Sequence, residues 1–203
     1  MKRILKALLL GFVLAFVISQ TIFIAECEDI SNRLLRLHIL ANSDSEEDQK
    51  LKLKVRDYIL DISSDMFSQA DNLIEAEHIA KTNLDLIVEK AQKYVYSLGY
   101  DYTIQGQVRE DMYFNTREYD NFILPAGNYD ALRITIGEGE GHNWWCVMFP
   151  PMCFSIAEEN NSNLSDILNN NQLAITEKGK QYEYKFKIVE IYNDIKNFFR
   201  GTK

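Results

Sequence analysis

Gly137-Glu138-Gly139-Glu140-Gly141-His142-Asn143-Trp144-Trp145-Cys146-Val147-Met148-Phe149-Pro150-Pro151-Met152-Cys153-Phe154 is where the rarest residues of this chain collect. The stretch holds both tryptophans, two of the three prolines and two of the three cysteines. Its first half predicts a loop, because alternating Gly and Glu offers backbone freedom and repelling carboxylates but no side chain to pack. Its second half predicts a strand that stops at Pro150, since proline cannot donate to a ladder. Upstream, Tyr129 to Ile136 places Leu132, Ile134 and Ile136 on one face and Ala131, Arg133 and Thr135 on the other. The two segments therefore read as a β-hairpin whose connection is longer than a two-residue turn.

Working outward, Leu124-Pro125-Ala126-Gly127-Asn128 predicts a turn before that hairpin, after a polar connection from Arg109 to Asp120. Tyr102, Ile104, Gly106 and Val108 alternate with polar residues, the pattern of a half-buried strand. Earlier, Leu34 to Ala41 is a short run rich in Leu and Ile that reads most naturally as a buried strand, although its periodicity alone would also allow a helix. Asn42-Ser43-Asp44-Ser45 follows as a helix start, with Ser43 and Glu46 or Ser45 and Asp48 spaced as a capping box. Leu51, Val55, Ile59, Ile62 and Met66 then recur at helical spacing. A second long helix starts near Ala70-Asp71-Asn72, carries Ile79, Leu86, Ile87, Ala91, Val95 and Leu98, and ends at Gly99 as its C′ residue.

Beyond Phe154, Glu158 to Asn171 is rich in Asn and Ser and predicts a loop around a short helical piece at Leu164 to Leu168. The chain then closes with Tyr184, Ile188, Ile191, Ile195 and Phe198 or Phe199 at helical intervals. Such a helix packs its apolar stripe on the sheet; the alternative is that Lys185, Lys187, Lys196 and Arg200 meet a lipid surface. The expected fold is α+β: a small antiparallel sheet, two long helices before the main hairpin, and an amphipathic C-terminal helix.

Residues 1–25 stand apart. Lys2, Arg3 and Lys6 precede the apolar run from Ala7 to Ile18, and the first acid is Glu26. That charge asymmetry marks a signal peptide or an N-terminal membrane anchor, with the N-terminus kept in the cytoplasm and residues 26–203 exported as a single α+β domain. No small-x-small cleavage site decides between the two. Setting those three basic residues aside leaves 19 basic against 30 acidic residues, a net charge of −11. A domain this acidic is repelled by phosphate backbones, which argues against nucleic acid as a partner.

Export permits disulfides, so Cys146 and Cys153 are either joined through a reversal at Pro150-Pro151 or are two buried thiols. No catalytic set emerges. His142 and Cys146 share a strand face but sit about 13 Å apart, too far for direct proton transfer. His38, His78 and His142 lack metal-ligand spacing. Glu138 and Glu140 could hold a cation only in competition with a solvated loop, and their charge disfavours a phosphate cradle. The expectation is no metal, no cofactor and no small-molecule substrate. A binding surface is better supported: Trp144 and Trp145 point to opposite sides of a strand, so if one enters the core the other is exposed or partly covered beside Glu138 and Glu140.

Two long ungapped stretches, Arg36 to Asp57 and Leu124 to Arg133, together with the opening Gly-Glu-Gly to Cys-Phe segment, closely resemble the stage II sporulation protein R family over nearly all of the chain after the leader. The resemblance implies a signalling protein of endospore-forming bacteria, exported from the forespore into the space between the two membranes. There it would activate a membrane-embedded aspartic protease of the mother cell, which removes the pro-sequence of the early mother-cell sigma factor. It carries no catalytic residue over. The rival reading is a thiol-dependent hydrolase acting on the cell envelope in the same space, through Cys146 or Cys153.

Overall fold

The structure is a computed structural model that describes residues 1–119, 122–152, 162–178 and 182–200. The chain divides into two compact units, one of residues 32–112 and 129–167, the other of residues 1–31, 113–128 and 168–203. In chain order the elements are α1 (Lys2–Ser31), β1 (Leu35–Leu40), α2 (Glu46–Phe67), α3 (Leu73–Thr82), α4 (Leu84–Ser97), β2 (Ile104–Phe114), β3 (Arg117–Glu118), β4 (Ile123–Leu124), β5 (Gly127–Ile136), β6 (Asn143–Phe149), α5 (Ser162–Ser165), α6 (Asn170–Thr176) and α7 (Glu183–Arg200). The class is α+β, as the sequence predicts.

The sheet corrects one expectation. Its strand order is β2-β5-β1-β6, so β5 and β6 are not a hairpin. β1 lies between them, parallel to β5 and antiparallel to β6, which makes the sheet mixed rather than antiparallel. The physical reason lies in β1 itself. Four of its six residues are Leu or Ile, and both faces are buried, Arg36 and His38 included, the signature of a central strand, and a central strand needs two neighbours. The loop after β5 must therefore step across one strand, about 10 Å from β5 to β6, instead of closing a tight turn.

On one face of this sheet Leu35, Leu37, Ile39, Leu132, Ile134, Ile136, Cys146 and Met148 join Leu51, Val55 and Ile59 of α2, Ala76 and Ala80 of α3 and Ile87, Ala91 and Val95 of α4 in one buried cluster. α2 starts where expected. The Ser45 hydroxyl accepts the Asp48 N–H at 3.1 Å, and three acids occupy the first turn. The second long helix is two helices, because at Asn83 the backbone leaves helical geometry and the side-chain amide donates to the Ile79 carbonyl at 2.9 Å. Gly99 closes α4 with φ +85°; the Tyr100 N–H reaches the Val95 carbonyl and the Gly99 N–H the Tyr96 carbonyl, a Schellman end. Leu86, expected inside, is 40% exposed.

β2 runs six residues past the expected strand and takes in Arg109 to Phe114, which an edge strand with one open side tolerates. There a knot of charge forms. The Asp111 N–H donates to Asp130 Oδ1 at 2.9 Å, and Lys81 bridges Glu77 and Glu110. Burial, then the hydrogen bond and charge of Glu77, push the Asp130 carboxyl up to about 6, against the pull of the Asp111 N–H and Lys81. A carboxyl that prefers its proton when folded stabilises most below its unfolded value near 4, and that contribution is lost as pH rises through about 6. Asp130→Asn is therefore expected to flatten the stability profile between pH 4 and 6. At pH 7.5 it should raise the thermal midpoint by roughly 2–4 °C, of order 1 kcal/mol after allowing for solvent screening.

In the other unit, α1 is exposed along its apolar length from Ile4 to Ile22 and buries only Gln20, Phe23, Cys27, Ile30 and Ser31. α6 begins with a capping box of Asn169 and Gln172 that the sequence reading passed over. α7 is amphipathic, but its orientation is the reverse of the expectation. Phe186, Val189, Asn193 and Asn197 are buried, whereas Tyr184, Ile191, Ile195, Phe198 and Phe199 are exposed. The amides explain the reversal. Asn193 Nδ2 donates to the Ala126 carbonyl at 3.3 Å, and Asn197 exchanges hydrogen bonds with the Asn128 side chain, docking α7 on the Pro125-Ala126-Gly127-Asn128 turn.

Candidate functional site

The glycine loop is held at its start by Thr103, just before β2, and along the rest by the chain just after β1. The Gly137 N–H donates to the Thr103 carbonyl at 2.9 Å, Glu140 N–H to the Asn42 carbonyl at 3.1 Å and Gly141 N–H to the Ala41 carbonyl at 3.0 Å. Side chains complete the seam: Asn42 Oδ1 accepts the Glu138 N–H at 3.1 Å, and Asp44 Oδ1 accepts the His142 N–H at 2.6 Å and also meets the His142 ring Nδ1. That contact holds the Asp44 carboxyl below its usual range. Gly137 and Gly139 adopt φ +57° and +68°. Gly141 serves close approach instead, since a Cβ there would lie 2.2 Å from the Ser43 carbonyl oxygen.

α2 supports the same seam. Lys52 is buried, and its ammonium donates to the His142 carbonyl at 2.9 Å and to Gln49 Oε1 at 2.6 Å. Burial lowers its pKa, offset in part by Asp44. Asp48 accepts from Asn42 Nδ2 at 2.9 Å and from the Ser43 hydroxyl at 2.6 Å. Burial raises its pKa, but the hydrogen bonds from Ser43, Asn42, Tyr102 and Ser45 outweigh that and hold it low. In the sequence, Asn42 to Asp48 carry only the signal of a helix start. Their second task, gripping a loop about 95 residues away, leaves no local signal.

Against this frame the predicted site residues fall in different settings. Glu138 and Glu140 are exposed, so two carboxylates project from a hydrogen-bonded backbone. Trp144 and Trp145 are both half-buried and take opposite faces of β6. The Trp144 ring packs on the helix-covered cluster with the Arg56 guanidinium 4.3 Å over it, and its indole nitrogen is buried. Trp145 stands on the other face against His38, ring centroids 5.2 Å apart. His38 Nε2 bonds Asn143 Oδ1 at 2.9 Å; burial, with Arg133 and Arg36 nearby, keeps its pKa low despite that bond. Beside it Arg36 is fully buried, its guanidinium 5.0 Å over the Tyr129 ring and its Nε donating to the Cys146 carbonyl.

Cys146 is buried on the helix-facing side of β6, opposite Leu37, while His142 is exposed and tied to Asp44. The two do not form a thiol–base pair. Cys153 lies outside the described residues. Among the described residues no group of three or more His, Cys, Asp and Glu side chains is placed to hold a metal ion. What the site offers is an acid-tipped crossover with a hydrogen-bonded backbone, followed on β6 by two half-buried tryptophans.

The chain is of α+β class, and its apolar N-terminal helix fits a signal peptide or a membrane anchor. The sequence profile of stage II sporulation protein R matches residues 31–159, and the chain belongs to that family. Stage II sporulation protein R of Bacillus subtilis (strain 168) is 38% identical over 125 residues, 62% of this chain and 55% of that protein, so the match spans about half the length of that relative. No solved structure matches.

Proposed function

We propose that this chain is an exported, non-catalytic signal that activates a membrane-embedded aspartic protease of the mother cell from the space between the two forespore membranes. The protease then processes the early mother-cell sigma factor precursor. The observation that supports this most is the pair of exposed carboxylates, Glu138 and Glu140, on a backbone fixed to Ala41–Asp44 inside the segment that matches the family. An activator gains by such preorganisation, because little loop entropy is lost on contact. Trp144 and Trp145, half-buried on the strand that follows the loop, would supply the apolar part of the contact.

Glu138→Ala with Glu140→Ala is expected to leave the fold intact, since neither side chain is buried. Precursor processing in membranes that hold the protease should fall roughly tenfold, the equivalent of about 1.4 kcal/mol of contact energy. Undiminished processing by the folded double variant would remove the loop from the mechanism. We also propose that Cys146 is joined to Cys153. Intact mass after alkylation, with and without prior reduction, counts the thiols, and two further alkylated cysteines without reduction would reject the bridge.

A further inference from the structure

The C-terminal helix carries two apolar stretches of opposite fate. Phe186 and Val189, with Asn193 and Asn197, face the protein. Roughly half a turn around the helix, Tyr184, Ile188, Ile191, Ile195, Phe198 and Phe199 form a second stripe. It is the more hydrophobic of the two, yet Ile191 is 58%, Ile195 53%, Phe198 79% and Phe199 82% exposed. A continuous apolar helix face left in water marks a surface that something covers.

Taken as a membrane anchor, the reading on which this inference rests, α1 indicates what covers it. From Ala7 to Ala25, uncharged and apolar but for Ser19-Gln20-Thr21, α1 is about 28 Å long, close to the thickness of a bilayer core, and the first acid after it is Glu26. α7 is fastened to α1 at this level. The Phe186 and Phe23 rings lie 5.8 Å apart, Lys185 Nζ sits 4.9 Å over the Phe23 ring, and Lys196 Nζ meets Glu28 Oε1 at 2.5 Å. Lys185 and Lys196 lie on the shoulder of α7 between its buried face and its exposed stripe, while Phe186 belongs to the buried face. A helix held beside a membrane span by its shoulder, with its docked face turned to the protein, leaves its third side for the lipid. The charges fit that placement. Lys185 and Lys196 line one shoulder; Lys187, Glu183, Glu190 and Asp194 line the other, with Glu190 already paired to Lys187 at 2.7 Å. No charged side chain falls within the stripe, and the long lysine stems can follow the interface.

We propose that α7 lies on the surface of the bilayer that α1 enters, its exposed stripe set into the boundary between headgroups and acyl chains. α1 and α7 together would then hold this unit at two points, one in the membrane and one on it.

The test uses the full chain reconstituted into vesicles of phosphatidylcholine and phosphatidylglycerol and collected by flotation. Spin labels are placed in turn at Ile195→Cys, Phe198→Cys and Asp194→Cys, all exposed positions, with the unsubstituted chain labelled in parallel to subtract its own cysteines. At 195 and 198 the ratio of collisions with oxygen to collisions with a water-soluble nickel chelate is expected to exceed that at 194 by roughly threefold or more. Equal chelate access at all three positions overturns the proposal. So does dipolar broadening at 195 that grows with the protein-to-lipid ratio, because a second copy would then cover the stripe.

Discussion

Gly141→Ala is expected to lower the thermal midpoint of the chain by roughly 6–12 °C, the equivalent of about 3 kcal/mol. The added Cβ would sit 2.2 Å from the Ser43 carbonyl oxygen and 2.9 Å from the Ala41 side chain. Neither is the far end of a flexible side chain, so the backbone must move. Movement there breaks the Gly141 N–H bond to Ala41 and disturbs those of Glu140 and His142 beside it. The effect should also reach function, since the Glu138 and Glu140 carboxylates would lose their fixed positions. Alanine at Gly11, with open space around the built Cβ, is the control and should leave the midpoint unchanged. A Gly141→Ala chain with the midpoint of the parent would show that the crossover is not held against β1 as described.

Arg36→Ala is expected to cost about 3–5 kcal/mol, with a matching fall in the midpoint, because it removes a fully buried side chain from the central strand. The guanidinium lies over Tyr129 of β5 while its Nε–H reaches the Cys146 carbonyl of β6, so one side chain ties both neighbours of β1. Arg36→Lys should recover less than half of the loss. An ammonium has neither the planar face that stacks on the ring nor a second, fixed N–H for the carbonyl. Recovery to the parent midpoint by lysine would mean that charge alone matters at this position. Both measurements are thermal unfolding of the full chain in the same detergent.

The sequence makes local features legible and leaves distant ones hidden. The Ser45 cap, the Gly99 end of α4 and the stop of β6 before Pro150 all follow from residues within a few positions of one another. β1 was legible as a buried strand from its run of Leu and Ile, interrupted only by Arg36 and His38, but its place between β5 and β6 depends on a parallel pairing across about 95 residues, which no local pattern marks. The length of the glycine loop was the available clue, being too long for a turn and sufficient to pass one strand. α7 illustrates a different gap. Helical periodicity reveals a stripe but not which side faces in, and Asn193 and Asn197 decide it by bonding groups of a turn about 70 residues earlier. The site was half visible. Glu138, Glu140 and the tryptophans stand out by type, whereas the grip of Asn42, Asp44 and Lys52 exists only once the loop has crossed β1.

Photocrosslinking from the acid-tipped crossover tests whether it meets the membrane-embedded protease proposed as its partner. A photoreactive residue in place of Glu140, in membranes that contain the candidate protease, is expected to give a covalent adduct with it. The same residue in place of the exposed Ile74, at the start of α3, should give none. Adducts from position 74 but not from position 140, in a chain that still supports precursor processing, would contradict the account.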